Sequence, residues 1–332
     1  MTTLRLPAVA ELLDTAQVVR LPMRTRFRGI TAREVMIFHG PAGWGEFAPF
    51  VEYDDNEASA WLAAGIEAAY LGAPAAVRAT VPVNATVPAV PAERVAEILA
   101  RYPGAHTAKV KVAEPGQSQA DDVERVAAVK EHIPRVRIDA NGQWTASQAI
   151  DALRAIGELE YAEQPCASIA ELAEVRRAVD VPIAADESIR KAADPLRVVA
   201  ADAADVAVLK VAPLGGMRAV LALAERIGLQ VVISSALDSA VGMAAGVAAA
   251  AAVPDLDLAC GLGTGTLFEA DTAPSFIPDA GELVPRWFGP TAQMTLTEGL
   301  VADPKRTQWW RDRLVRCHQV VADRADLLTH FL

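Results

Sequence analysis

The chain has 332 residues, 52% of them apolar, and a formal net charge of −11. That apolar share supports a substantial core and excludes a disordered chain. The acidic balance excludes the basic surface that nucleic acid or an anionic membrane would require. Cys166, Cys260 and Cys317 are far apart and odd in number. They offer neither a metal-ligand spacing nor a disulfide framework, and they fit a reducing compartment. The opening "MTTLRLPAVAELLDT" lacks the basic start and apolar run of a signal peptide. The expectation is a cytoplasmic protein acting on a small molecule, with no nucleic-acid or membrane partner. Its oligomeric state is left open.

In chain order, "RTRFRGITAREVMIFHG" alternates in the manner of a strand. "GPAGWGEFAPF" supplies a turn and a further strand. "NEASAWLAAGIEAAYLG" follows with helical periodicity and a stop at Gly72. From about residue 80 the pattern becomes rhythmic. Apolar runs of strand type occupy 81–87, 107–112, 135–140, 159–164, 181–186, 205–211, 229–235 and 256–261, with successive starts 22 to 28 residues apart. Amphipathic stretches such as "SQADDVERVAAVKEHI" and "TASQAIDALRAIGE" separate them. Eight strands alternating with helices predict a closed parallel barrel, with an open doubly wound sheet as the rival. The run "AVGMAAGVAAAAAV" is 14 residues long, too short for a bilayer, and reads as a buried helix. No ordinary barrel helix follows the eighth strand. A Pro-rich, acidic stretch leads instead to a helical tail over 305–331, expected to return to the N-terminal part. The predicted domains are a cap of residues 1–85 plus about 285–332, and a barrel of residues 86–284.

Chemistry in such barrels lies at the C-terminal ends of the strands. Those ends carry Lys109 and Lys111 in "TAKVKV", Asp139 and Asn141 in "IDANG", Glu163 in "AEQP", Asp186 in "AADES" and Lys210 in "LKVAPLGG". Asp139, Glu163 and Asp186 are spaced by 24 and 23 residues, one strand–helix unit each. Three convergent carboxylates would repel one another and lose solvation, and a hard divalent cation removes both costs. Oxygen-only donors favour Mg²⁺, with Mn²⁺ as the alternative, over zinc. Strands two and six of a ring of eight stand opposite, so Lys111 and Lys210 would face each other across a bound carboxylate substrate. Lys109, two residues from Lys111, would lower the pKa of that base. A solvated K-x-K face and aspartates serving as helix N-caps are the bland alternatives.

The ordered set "KVK", "DANG", "EQP", "DES" and "LKVAPLGG" resembles the enolase superfamily, specifically its muconate-lactonizing subgroup. The resemblance covers nearly the whole chain. It implies an α/β fold: a modified TIM barrel, (β/α)7β, under an α+β capping domain built from the N-terminus and the C-terminal tail. It implies Mg²⁺ on Asp139, Glu163 and Asp186, with Lys111 and Lys210 as acid/base positions and Lys109 and Asn141 assisting. Within the subgroup, "FRGITAREVMIFHGPAGWGEFAPFVEYDD", "ISSALDSAVGM" and "GLGTGTLFEAD" are similar to a hydro-lyase of menaquinone biosynthesis. Such an enzyme dehydrates a succinylated hydroxycyclohexadiene carboxylate. Candidate contacts to the succinyl tail are Ser235, Ser239, Gly261 and Gly263, while Arg26 and Arg28 in "RFRG" lie on a cap segment placed to contact a substrate carboxylate. The rivals are an N-acylamino acid racemase or dipeptide epimerase on the same scaffold, and a barrel kept as a binding protein without catalysis.

Overall fold

The computed structural model describes residues 5–191, 194–296 and 299–324. The chain begins with α1 (Val9–Thr15) and an antiparallel sheet of β1 (Gln17–Phe27), β2 (Ile30–Gly40) and β3 (Gly43–Phe47). Arg28 and Gly29 alone join β1 to β2, at φ of 48° and 76°. Two left-handed residues are the twist-matched connection for a tight hairpin. Asp54 starts α2 (Asp55–Leu71) by accepting from the Glu57 amide, and Gly72 at φ 71° ends it. α2 lies so close to β3 that a Cβ on Gly45 would fall 2.1 Å from the Gly65 carbonyl oxygen. Only glycine permits that approach.

The middle of the chain alternates strand and helix. It runs β4 (Val81–Pro82), β5 (Ala85–Val87), α3 (Val95–Leu99), β6 (Thr107–Lys111), α4 (Gln119–Lys130), β7 (Arg135–Asp139), α5 (Ala146–Ile156) and β8 (Tyr161–Glu163). It continues through α6 (Ile169–Ala178), β9 (Ile183–Ala185), α7 (Glu187–Arg190), α8 (Arg197–Ala200), β10 (Val206–Leu209), α9 (Met217–Ile227), β11 (Gln230–Ile233) and α10 (Ala240–Ala252). Ser118, Thr145 and Ser168 open α4, α5 and α6 with reciprocal capping boxes, so each helix starts at a fixed point after its strand. β5 to β11 form one parallel sheet in sequence order.

The predicted eighth strand, 256–261, is reduced to two bridging residues that close the ring. Cys260 donates to the Pro82 carbonyl and accepts from the Asn84 amide. Gly261 donates to Ile233 and accepts from Ser235. Pro82 has no amide hydrogen to lengthen that ladder. The first predicted strand, 81–87, is likewise divided: β4 pairs antiparallel with β12 (Glu282–Leu283), and β5 joins the barrel.

α11 (Pro304–Asp323) packs back on the N-terminal elements. Trp310 Nε1 donates to Glu34, and Arg313 donates to the Phe50 and Tyr53 carbonyls. Leu12, Phe38, Trp61, Trp310 and Leu314 share this core. A fully buried Leu or Phe there contributes about 1.5–3 kcal/mol relative to an exposed one. Residues 325–331 of the expected tail helix lie outside the described residues. Among the described residues no helix is long and apolar enough to cross a membrane.

Candidate active site

Side chains along a strand alternate, so Lys109 and Lys111 leave β6 on one face while Ala108, Val110 and Val112 pack in the core around the barrel. Arg137 and Asp139 on β7, and Tyr161 and Glu163 on β8, follow the same rule. Register then sets neighbours: Lys111 pairs with Asp139, and Asp139 with Glu163. The Lys109 Nζ donates to both Glu163 oxygens at 2.9 and 2.8 Å and lies 3.4 Å from Asp139 Oδ2. The Lys111 Nζ donates to Asp139 Oδ2 at 2.5 Å and Asn141 Oδ1 at 2.6 Å. The Lys210 Nζ donates to Asp186 Oδ2 at 2.5 Å. Asp186 flanks the start of α7 without making a capping hydrogen bond. Its other oxygen accepts from Arg190 Nε at 3.0 Å. The helix-cap alternative therefore fails for this aspartate. Lys109 is 7% exposed, so a solvated-face reading fails for it too.

Burial and partner charge compete at every group. Glu163 is pushed up to about 7, by burial first and then by Asp139, against the pull of Lys109. Burial would also raise Asp139, but Lys111 and Lys109 outweigh it and hold the carboxyl below the usual range. Asp186 is drawn down to about 2, because Lys210 and Arg190 together outweigh its burial. Lys109 loses to burial but gains more from Glu163 and Asp139, and ends above its ordinary value. Lys111 ends below its ordinary value. The main cause is burial, opposed by Asp139, with the Lys109 charge a smaller downward contribution. The expected downward pull of Lys109 on Lys111 is present, with burial the larger cause.

Three buried carboxylates on adjacent strands give an all-oxygen donor set, which suits a hard divalent cation. Among the described residues no three acids already form a metal-ready group; each is neutralised by a lysine. Glu163 stays raised despite Lys109, because burial is the largest cause and Asp139 adds to it.

The Enolase C-terminal domain-like family matches residues 92–286, and the Enolase N-terminal domain-like family matches residues 18–69. An o-succinylbenzoate synthase of Mycobacterium tuberculosis is 61% identical over 320 residues, spanning 95% of this chain and 97% of that one. One from Mycolicibacterium smegmatis is 59% identical over 318 residues, spanning 95% and 98%. The chain belongs to the o-succinylbenzoate synthase family of the enolase superfamily. A muconate lactonizing enzyme from Pseudomonas fluorescens, crystallised with muconolactone, shares the fold at a TM-score of 0.72 and 22% identity, over 89% of this chain and 97% of that one.

In this o-succinylbenzoate synthase family member, a small cavity of about 40 Å³ stands over the charged cluster. Lys109, Lys111, Asp139, Asn141 and Lys210 line it, together with Arg28, Ser235 and Gly261. Arg28 reaches it from the hairpin tip and lies 4.1 Å from the centroid of the Phe50 ring. An outer chamber of about 260 Å³ shares Phe27, Arg28, Lys111 and Asn141 and adds Arg26 and residues 114–117.

Other sequence-chosen residues fall elsewhere. Ser239 is fully buried, caps α10 and gives its hydroxyl to Glu46 on the cap sheet. Gly263 is not among the cavity-lining residues; a Cβ there would lie 2.6 Å from the Asn84 carbonyl oxygen and 3.0 Å from the Tyr102 ring. Gly261 has its amide spent on barrel closure rather than free for a ligand. Sequence reasoning passed over Phe27, Thr86, Leu237 and Thr264, which also line the cavity. Thr264 lay inside the "GLGTG" stretch, and its hydroxyl meets that of Ser235 at 2.6 Å.

Proposed function

We propose that the chain is a divalent-cation-dependent hydro-lyase, an o-succinylbenzoate synthase of menaquinone biosynthesis acting in the cytoplasm. Its substrate would be 2-succinyl-6-hydroxy-2,4-cyclohexadiene-1-carboxylate and its products 2-succinylbenzoate and water. The observation that carries this reading is the convergence in one cavity of Lys111 and Lys210, from strands four places apart in the sheet, each beside a buried carboxylate.

Asp139, Glu163 and Asp186 would hold Mg²⁺, or Mn²⁺ in its place, as enolase-superfamily enzymes generally do. That cation supplies fixed positive charge for the electrons that move onto the substrate carboxylate. Lys111 acts as base. Its neutral amine takes the proton from the carbon bearing the carboxylate, and the substrate becomes an enediolate. The resulting ammonium gives the same proton to the departing hydroxyl on the same face, and water leaves. Lys111 returns to the neutral amine, and the ring becomes aromatic. A buried amine with a lowered pKa is suited to the first step, and one group can serve both steps because the elimination is syn. Lys210 stays a cation beside the enediolate and offsets its charge. Lys109 holds Glu163, and Asn141 accepts from Lys111, which fixes the direction of the amine.

The deciding assay follows the aromatic absorbance of 2-succinylbenzoate. In parallel, the enzyme is incubated with N-succinyl amino acids in D₂O. Dehydration with little α-deuterium uptake is expected. Rapid exchange with inversion and no dehydration would establish the racemase instead.

A further inference from the structure

α4 carries an arginine that does not touch the cavity yet reaches the backbone of the base. Arg125 is 1% exposed and Asp122, one turn before it, is 2% exposed. Arg125 Nη1 donates to Asp122 Oδ1 at 2.8 Å and to the carbonyl of Lys111 at 2.8 Å. Its Nε donates to the Val90 carbonyl at 2.5 Å, and its Nη2 donates to Gln117 Oε1. Asp122 Oδ2 in turn accepts from the Ala113 amide at 2.9 Å, where the backbone turns left-handed at φ 59°. One buried ion pair thus holds the end of β6, the loop after β5 and the segment 113–117. The last of these is a wall of the outer chamber, and Gln117 Nε2 ties it to the Ala89 carbonyl at 2.9 Å.

β6 leaves the sheet at this point. Lys111 is its last paired residue, and Ala113 turns away. A carbonyl at a strand end has no ladder partner and needs another donor. The lysine side chain is long and flexible, so the position of its amine depends on a fixed Cα. A guanidinium offers five N–H donors spread over three nitrogens in a fixed plane, whereas an ammonium offers three from a single nitrogen and cannot span acceptors so far apart.

Resting on the proposed role of Lys111 as base, we propose that Arg125, backed by Asp122, is a positioning residue that sets Lys111 for proton transfer and locks Gln117 into the substrate wall. Its two arms then have separable effects. The arm to the Lys111 carbonyl governs the chemical step, and the arm to Gln117 governs how substrate is held.

The test is steady-state dehydration kinetics of the Mg²⁺-loaded wild type, Arg125→Lys and Gln117→Met, with thermal melts of each. Arg125→Lys keeps the charge beside Asp122 but loses the fork. It should lower kcat at least 10-fold while melting within a few degrees of wild type. Gln117→Met should raise KM at least threefold with kcat within twofold. A folded Arg125→Lys with kcat within twofold of wild type overturns the proposal. Should Arg125→Lys not fold, Gln117→Met decides alone, and an unchanged KM overturns the proposal. A wild type that does not dehydrate the substrate at all refutes the hydro-lyase reading instead, so the two failures are distinguishable.

Discussion

The two ends of the barrel interior bury charge in opposite ways. At the N-terminal end Arg137 is fully buried, and its Nε and Nη1 are partnered while Nη2 is not. Its guanidinium donates to Glu160, to the Tyr161 hydroxyl at 3.2 Å and to the Ala259 carbonyl at 2.6 Å. Two residues further along β7 and β8, Asp139 and Glu163 face two lysines, Lys109 and Lys111, instead. There like charges crowd together, and Glu163 rises to about 7. The same strands thus hold a permanent plug below and exchangeable charges above. A charge that must change partner during turnover sits among like charges, whereas Arg137 is held mainly by one carboxylate and neutral acceptors.

The largest effect that sharpens this contrast is at the upper end. Lys111→Ala should cost about 10²–10⁴ in kcat, the range for a lost acid–base group, and Lys210→Ala about 10²–10³, the range for a lost electrostatic stabiliser. Their melting temperatures should stay near that of wild type, as read by turnover and circular dichroism. Retained turnover in both variants would remove the catalytic half of the comparison.

Next comes the plug. Arg137→Met takes the donor from the Tyr161 hydroxyl and the nearer of two arginines from the part-exposed Glu160, Arg135 remaining at 3.8 Å, so the loss should be about 1–3 kcal/mol. Urea denaturation should show that loss while the surviving folded fraction keeps near-normal kcat. A large kcat loss with unchanged stability would mean that the two ends are not functionally distinct.

The seam between cap and barrel shows a third solution, protonation. Glu46 is pushed up to about 8 by burial and by Asp238, partly offset by its bond from Ser239. The folded state therefore keeps a proton that the unfolded chain releases near pH 4.5. Stability from this group falls as pH rises from about 4.5 to about 8 and is level above that. Glu46→Gln cannot ionise, so its stability should decline less than that of wild type over that window, measured by denaturant midpoint at several pH values. Identical slopes would place the titration elsewhere.

Much of this was legible in the primary structure, for physical reasons. The strand period places Lys109 with Lys111, and the unit spacing places Asp139, Glu163 and Asp186 on neighbouring strands. What strand register and long-range packing decide was not legible. Nothing local pairs Lys109 with Glu163, 54 residues away, or gives Lys111 to Asp139. Ser239 looked free for substrate because its partner, Glu46, lies 193 residues earlier. The closing strand shrank to a bridge because its neighbour is Pro82, a property of the pairing rather than of 256–261 itself. Arg125 lies in the amphipathic stretch "SQADDVERVAAVKEHI", and its acceptors at Val90, Lys111 and Gln117 all come from outside that helix.

The central claim is that the three carboxylates hold a divalent cation on which the lysine chemistry depends. The most direct measurement is dehydration by enzyme stripped with EDTA, before and after titration with Mg²⁺. The account requires activity to fall by at least about 10²-fold, in proportion to the charge stabilisation such sites provide, and to return with Mg²⁺. Full turnover in the stripped enzyme would contradict it.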